Sequence, residues 1–159
     1  MRNLSLISAL FFATPSLTLP HPNPDFEQRC ASFSKQLEIK DAQVKFSEFI
    51  SANTNLSLPD NDPSCMQTSQ FVTTDICRVA LSVSTSPRSN TEVEVWLPDP
   101  KIWETKRRFA GTGNGGLGGC VWYPDMAYAA GMGFAVAGSD GVRSDPLPVL
   151  NLFDRVIGP

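Results

Sequence analysis

Ten consecutive residues, Gly111-Thr-Gly-Asn-Gly-Gly-Leu-Gly-Gly-Cys120, contain six of the eleven glycines in the chain. No stable helix forms from such a run, because each Gly costs about 0.5–1 kcal/mol against Ala in a helix. A strand is a poor alternative, since there are no side chains to pack. What remains is a loop that bends freely, bares its amides and lets another group come close. The short run Arg107-Arg-Phe-Ala110 leads into it and Val121-Trp-Tyr123 leads out. A glycine loop leaving a strand suits either phosphate binding or stabilisation of an oxyanion.

The remaining composition narrows the frame. At 159 residues the chain is expected to form one domain. With 42% hydrophobic and 18% charged residues it reads as globular rather than disordered. The net charge is −3, and Lys106-Arg-Arg108 is the strongest basic cluster, which argues against nucleic acid as a partner. Arg2 followed by the apolar stretch 4–13 reads as a secretory signal over about residues 1–19, cleaved between Ala13 and Leu19. The apolar run is too short to span a bilayer, which needs about 20 residues. A secreted chain without a membrane partner is therefore expected.

Four cysteines, Cys30, Cys65, Cys77 and Cys120, fit an oxidising compartment and allow two disulfides in any of three connectivities. A zinc site would need close pairs, and the shortest gap here runs from Cys65 to Cys77. Asn55-Leu-Ser57 is an N-glycosylation sequon, which places that segment at a surface. A second sequon, Asn3-Leu-Ser5, falls within the signal.

Periodicity gives the order of elements. Phe26, Arg29, Cys30, Phe33 and Leu37 recur at helical spacing, so 25–40 reads as a helix. A strand is expected over 39–50, and a breaker-rich loop over 53–65. The carboxylates and Asn of that loop do not meet the calcium pattern D-x-[DN]-x-[DN]-G. The strongest strand is expected over 71–83, with Cys77, Val79, Leu81 and Val83 on one face. A turn over 84–91 and a strand over 92–97 complete an antiparallel hairpin. Then come a loop (98–106), a strand (107–110), a short helix (124–130, Pro first and Gly131 after it) and a buried strand (133–137). This order opens an α/β sheet.

The letters Gly111-x-Gly113-x-x-Gly116 match a dinucleotide fingerprint, but the next residues, Leu117-Gly-Gly-Cys-Val121, make a poor helix. The Gly-Lys-Ser/Thr of a phosphate loop is missing. The oxyanion reading fits better. In α/β-hydrolases one donor is a backbone N–H in a loop just after the third strand. Each such donor contributes about 3 kcal/mol to lowering the barrier. The competing reading is that the glycines only permit tight packing around Cys120; the residues alone leave both open.

Several motifs, in order, carry a resemblance. Asn53-Thr-Asn-Leu-Ser-Leu-Pro-Asp-Asn-Asp-Pro-Ser-Cys65, Cys77-Arg-Val-Ala-Leu81, Glu94-Val-Trp-Leu-Pro98, Gly113-Asn-Gly-Gly-Leu-Gly-Gly-Cys120, Tyr123-Pro-Asp-Met-Ala-Tyr128 and Gly133-Phe-Ala135 together resemble the fungal tannase and feruloyl esterase family. The match runs from about Cys30 to Gly141. The resemblance implies the N-terminal part of an α/β-hydrolase fold over residues 20–141, with an incomplete sheet and a divergent tail over 142–159. It implies a secreted serine esterase acting on phenolic-acid esters, and disulfides Cys30–Cys77 and Cys65–Cys120. It makes Gly115 and Gly116 the oxyanion-donor candidates.

The family's nucleophile motif, Cys-Ser-x-Gly-Gly, does not occur in these 159 residues, nor do the acid and His that would come after it. Its calcium site lies in a lid that this chain also lacks, so no cofactor is expected. Val142 and Arg143 stand where the family usually has a His, which reads as a coding sequence cut short near Gly141. Ala137-Gly-Ser139-Asp-Gly141 imitates a nucleophile elbow, but Pro146 and Pro148 break the helix that should come next, and the one His is His21. The expectation is an inactive fragment of a carboxylic ester hydrolase, with a phenolic ester as partner only in a full-length enzyme. The alternative is a non-catalytic, secreted, disulfide-stapled binding module.

Overall fold

The computed structural model describes residues 24–113 and 118–141. The signal region, His21, Gly115, Gly116 and the tail over 142–159 therefore lie outside the described residues. In chain order the elements are α1 (Pro24–Gln36), β1 (Ala42–Ile50), β2 (Thr54–Ser57), a 3-10 turn (Pro63–Cys65), β3 (Ser69–Val72), β4 (Ile76–Ser86), β5 (Ser89–Pro98), α2 (Pro100–Lys106), β6 (Phe109–Thr112), α3 (Tyr123–Gly131) and β7 (Ala135–Ser139).

Five strands make one mixed sheet in the order β1-β4-β5-β7-β6, and β2 with β3 forms a separate two-stranded sheet. All neighbours in the large sheet are antiparallel except β6 and β7, which run parallel. A parallel pair needs a crossover, and α3 supplies it. With helices joined to a mixed sheet, the architecture is α/β.

Alternation along the central strands builds two cores. Cys77, Val79 and Leu81 of β4 join Val95 and Leu97 of β5 and Ala135 and Ala137 of β7, and α1 covers them with Phe26 and Cys30. On the opposite face, Ile76, Trp96 and Val136 meet Met126 and Ala130 of α3 and Leu56 and Val72 of the small sheet. Both faces of the inner halves of β4 and β5 are thus withdrawn from water. That explains why their inner halves read as nearly continuous apolar runs.

Five expectations change. The strand expected over 107–110 runs Phe109–Thr112, so Gly111 and Thr112, expected in the glycine loop, instead pair with β7. The strand expected over 71–83 is two strands in two sheets; the break at 73–75 leaves Asp75 Oδ1 accepting from the backbone N–H of Ala52 at 2.7 Å. The loop expected over 53–65 contains β2, whose alternation is only four residues long. The loop over 98–106 contains α2: Asp99 caps it by accepting from Lys101 N at 2.8 Å, with Pro100 in the first turn and left-handed Arg107 ending it. The turn over 84–91 shrinks, because β4 and β5 pair out to Ser86 and Ser89.

Cys30 and Cys77 are joined, Cα atoms 5.5 Å apart, tying α1 to the middle of the sheet across a sequence separation of 47. A loop of that length constrains the unfolded chain by about 4 kcal/mol. The Cys30→Ser/Cys77→Ser variant should lose stability on that scale in urea titration of the purified chain. A loss below about 1 kcal/mol would mean that α1 is held by packing alone.

Candidate functional site

The parallel strands β6 and β7 end together, with Gly111 opposite Ala137 and Thr112 opposite Gly138. Thr112 Oγ1 donates to the Ala137 carbonyl at 3.3 Å, closing the end of the pair. A Cβ on Gly138 would come within 2.7 Å of Met126 Sδ and 2.9 Å of Thr112 Oγ1, so the bare position lets these two side chains of α3 and β6 sit close against β7. The glycine loop thus leaves the carboxyl edge of a parallel pair, where open α/β sheets take their ligands.

The described ends of the loop do not support packing as the reason for its glycines. Gly113, Gly118 and Gly119 are exposed, and a Cβ added at Gly111, Gly113 or Gly119 would meet nothing within 4 Å. Gly119 has φ +62, a conformation that costs L side chains strain. Open space at Gly113 and Gly119 leaves room for another molecule to approach the backbone.

Two anchors fix the far end. Cys120 is bonded to Cys65, Cα atoms 5.8 Å apart, across a separation of 55 residues. Cys65 ends the 3-10 turn, which Asp62 caps by accepting from Ser64 N at 2.8 Å. Hydrogen bonds from Ser64 hold the Asp62 carboxyl below its ordinary pKa. The acidic residue of this turn is therefore engaged in capping. Among the described residues no three His, Cys, Asp or Glu side chains gather as a metal site, and no helix is long and apolar enough to cross a membrane.

The second anchor is Tyr123, the first residue of α3. Its hydroxyl donates to Glu94 Oε1 at 2.8 Å. The same carboxylate accepts from Arg78 Nε at 2.8 Å, from Arg78 Nη2, and from Trp96 Nε1 at 3.0 Å. Arg78 also donates through Nη1 to Glu48 at 2.8 Å, and its guanidinium lies 5.0 Å from the centre of the Phe46 ring. Arg78 is 8% and Glu94 6% exposed. Burial works against the Arg78 charge, but the hydrogen bonds and charge of Glu94, with Glu48, outweigh it and raise the pKa. Burial first, then the Glu94 charge and hydrogen bond, push the Tyr123 phenol well above its ordinary value of 10.0. Periodicity alone does not single out this cluster. The available signal is a charge inside each apolar run, Arg78 in Ile-Cys-Arg-Val-Ala-Leu and Glu94 in Val-Glu-Val-Trp-Leu.

Ser139 ends β7 and donates to the Gly141 carbonyl at 3.1 Å. Asp140 beside it extends the pairing to β5: its N–H donates to the Glu92 carbonyl at 3.1 Å, and its Oδ1 accepts from Glu92 N at 2.9 Å. Burial lifts the Asp140 carboxyl above its ordinary pKa. Ser139 therefore sits in a strand-end clasp. Asn55, the sequon residue, is exposed on β2.

No protein-family model matches the chain. Curated relatives do match it. The chain is 43% identical over 140 residues to a protein named probable feruloyl esterase B-2 of Aspergillus fumigatus, covering 88% of this chain and 25% of that one. It is 42% identical over 142 residues to feruloyl esterase C of Talaromyces stipitatus, covering 87% and 26%. Among solved structures, feruloyl esterase B from Aspergillus oryzae aligns with a TM-score of 0.67 at 43% identity, over 72% of this chain and 22% of that one. The chain spans about a quarter of the length of the curated relatives it matches, as a partial N-terminal match.

Arg78→Met would strand the Glu94 carboxylate without a counter-charge and should cost about 3–5 kcal/mol in chemical denaturation. Arg78→Met/Glu94→Leu should cost less than the single change, because no unpaired charge stays behind. The raised Tyr123 pKa also sets an alkaline limit. Its contribution to stability is fully present below pH 10.0 and is lost as pH rises through the folded-state value. A pH titration of tyrosinate absorbance should show a late component that coincides with unfolding, and Tyr123→Phe should remove it.

Proposed function

We propose that this chain is the N-terminal part of a carboxylic ester hydrolase of the tannase and feruloyl esterase type, with phenolic-acid esters as the substrate class. The single observation that carries the proposal is the partial match at 43% identity to a protein named as a feruloyl esterase. The setting of the loop supports it: bared glycines leave the carboxyl edge of β6 and are fastened beyond by Cys65–Cys120 and by Tyr123 on Glu94. In this reading the large sheet is the opening portion of an α/β-hydrolase sheet.

The chemistry assigned to the whole enzyme is acyl transfer. A Ser hydroxyl, deprotonated by His with an acid orienting that His, adds to the ester carbonyl, and the carbonyl oxygen takes the negative charge. Gly115 and Gly116 are the proposed donors to that oxygen. The alcohol leaves with a proton from the His, and water then releases the acid from the acyl-enzyme by the same steps reversed. This route calls for no resident cofactor.

The 159 residues contain one His, His21, and no Cys-Ser-x-Gly-Gly motif. The chain alone therefore contributes the loop and not the triad, and its own hydrolytic activity is expected to be nil. Two disulfides are in keeping with a secreted protein.

Purified chain incubated with methyl ferulate or methyl gallate should release no acid above background. Hydrolysis that disappears in Ser139→Ala would overturn the assignment of Ser139 to a clasp. A chimera carrying residues 20–141 in place of the matching part of a longer feruloyl esterase should hydrolyse methyl ferulate. In that chimera, Gly116→Pro, which deletes one N–H, should lower kcat by about 10²–10³-fold. A folded chimera without activity would favour a disulfide-stapled binding module instead.

A further inference from the structure

Asn55, Leu56 and Ser57 are successive residues of β2, and their side chains alternate across it. Leu56 is 5% exposed and lies in the core shared with α3, whereas Asn55 and Ser57 face outward and are exposed. The sequon thus presents its amide and its hydroxyl on the same outer face. Directly across the two-stranded sheet, Asn55 is in register with Phe71 of β3. Phe71 is 51% exposed. Residues paired in this way point to the same side, with Cβ atoms about 4.5–5.5 Å apart. Beyond Phe71 an apolar groove continues over Tyr128 of α3 and Met132 just after it, which are also exposed. The Phe71 ring is thus left half in water on the face that also carries the outward Asn55.

We propose that Asn55 carries an N-linked glycan whose first sugar packs its C–H face on the Phe71 ring, and that this glycan covers the groove between β3 and α3. The donor is an oligosaccharide linked to a lipid pyrophosphate. The Asn55 Nδ2 attacks the anomeric carbon, a C–N bond forms, the C–O bond to the pyrophosphate breaks, and the amide proton passes to a base of the transferase. Ser57 supplies the hydroxyl that the acceptor motif requires two residues on. The electron-rich ring face of Phe71 attracts the weakly positive C–H bonds of a pyranose. The proposal rests on the secreted reading and not on ester hydrolysis, so the failure of either leaves the other standing.

The test is to make the whole chain in a yeast secretory host. Peptide mapping should find the oligosaccharide on Asn55, and Asn55→Gln should remove one step in gel mobility. The melting temperature should hold when an endoglycosidase trims the glycan to its first sugar. It should fall when an amidase removes that sugar too, and Phe71→Ala should abolish this difference. An unmodified Asn55 in secreted material, a chain that never enters the secretory route, or a difference that survives Phe71→Ala would each overturn the proposal.

Discussion

The Glu94 carboxylate is the point on which the sheet and the loop both depend. A carboxylate removed from water costs several kcal/mol unless its oxygens are satisfied. Here four donors converge on it, two from Arg78 and one each from Trp96 and Tyr123. Those donors come from β4, β5 and α3, and Arg78 reaches on to Glu48 of β1. A slip of one residue between β4 and β5 would turn Arg78 to the α1 face and leave Glu94 alone in the core. The knot therefore fixes register as much as it adds stability. Through Tyr123 it also fixes where α3 begins, and so where the glycine loop must end.

The two disulfides divide their work between the faces of the sheet. Cys30–Cys77 lies in the core under α1, away from the loop, and joins the lead-in helix to β4. Cys65–Cys120 lies at the loop itself and joins it to a capped turn between the two small strands. Gly119, with its positive φ, is the residue just before that bridge. The loop between Thr112 and Cys120 is thus held at both ends, by strand pairing on one side and by a covalent bond on the other.

Much of this was legible from spacing. β4 and β5 announced themselves through period two, α3 through its Pro and the Gly after it, and the run from β6 through α3 to β7 through the order of its signals. The missed elements failed for specific reasons. β2 is four residues long, too short for alternation to rise above the turn residues around it. α2 is seven residues long, and its Asp99-Pro100 start was outweighed by the Pro residues that marked the segment as loop. The Glu94 knot was hidden because a charge on a strand reads as a solvated face until both faces prove to be covered. Gly115 and Gly116 were singled out from sequence, and their geometry lies outside the described residues.

The position of β7 between β5 and β6 has a consequence for how the chain is made. Thr112 leaves the ribosome well before Ala135, yet among the described residues β6 pairs with β7 and with no other strand. At ~5–20 residues per second, β6 emerges some seconds before its partner does. During that interval β5 keeps one side vacant for a strand not yet synthesised, and the glycine bend has no frame at its upstream end. Assembly of this corner is therefore late by construction. This corner closes only after the hairpin of β4 and β5 has formed and β7 has slotted in beside β5.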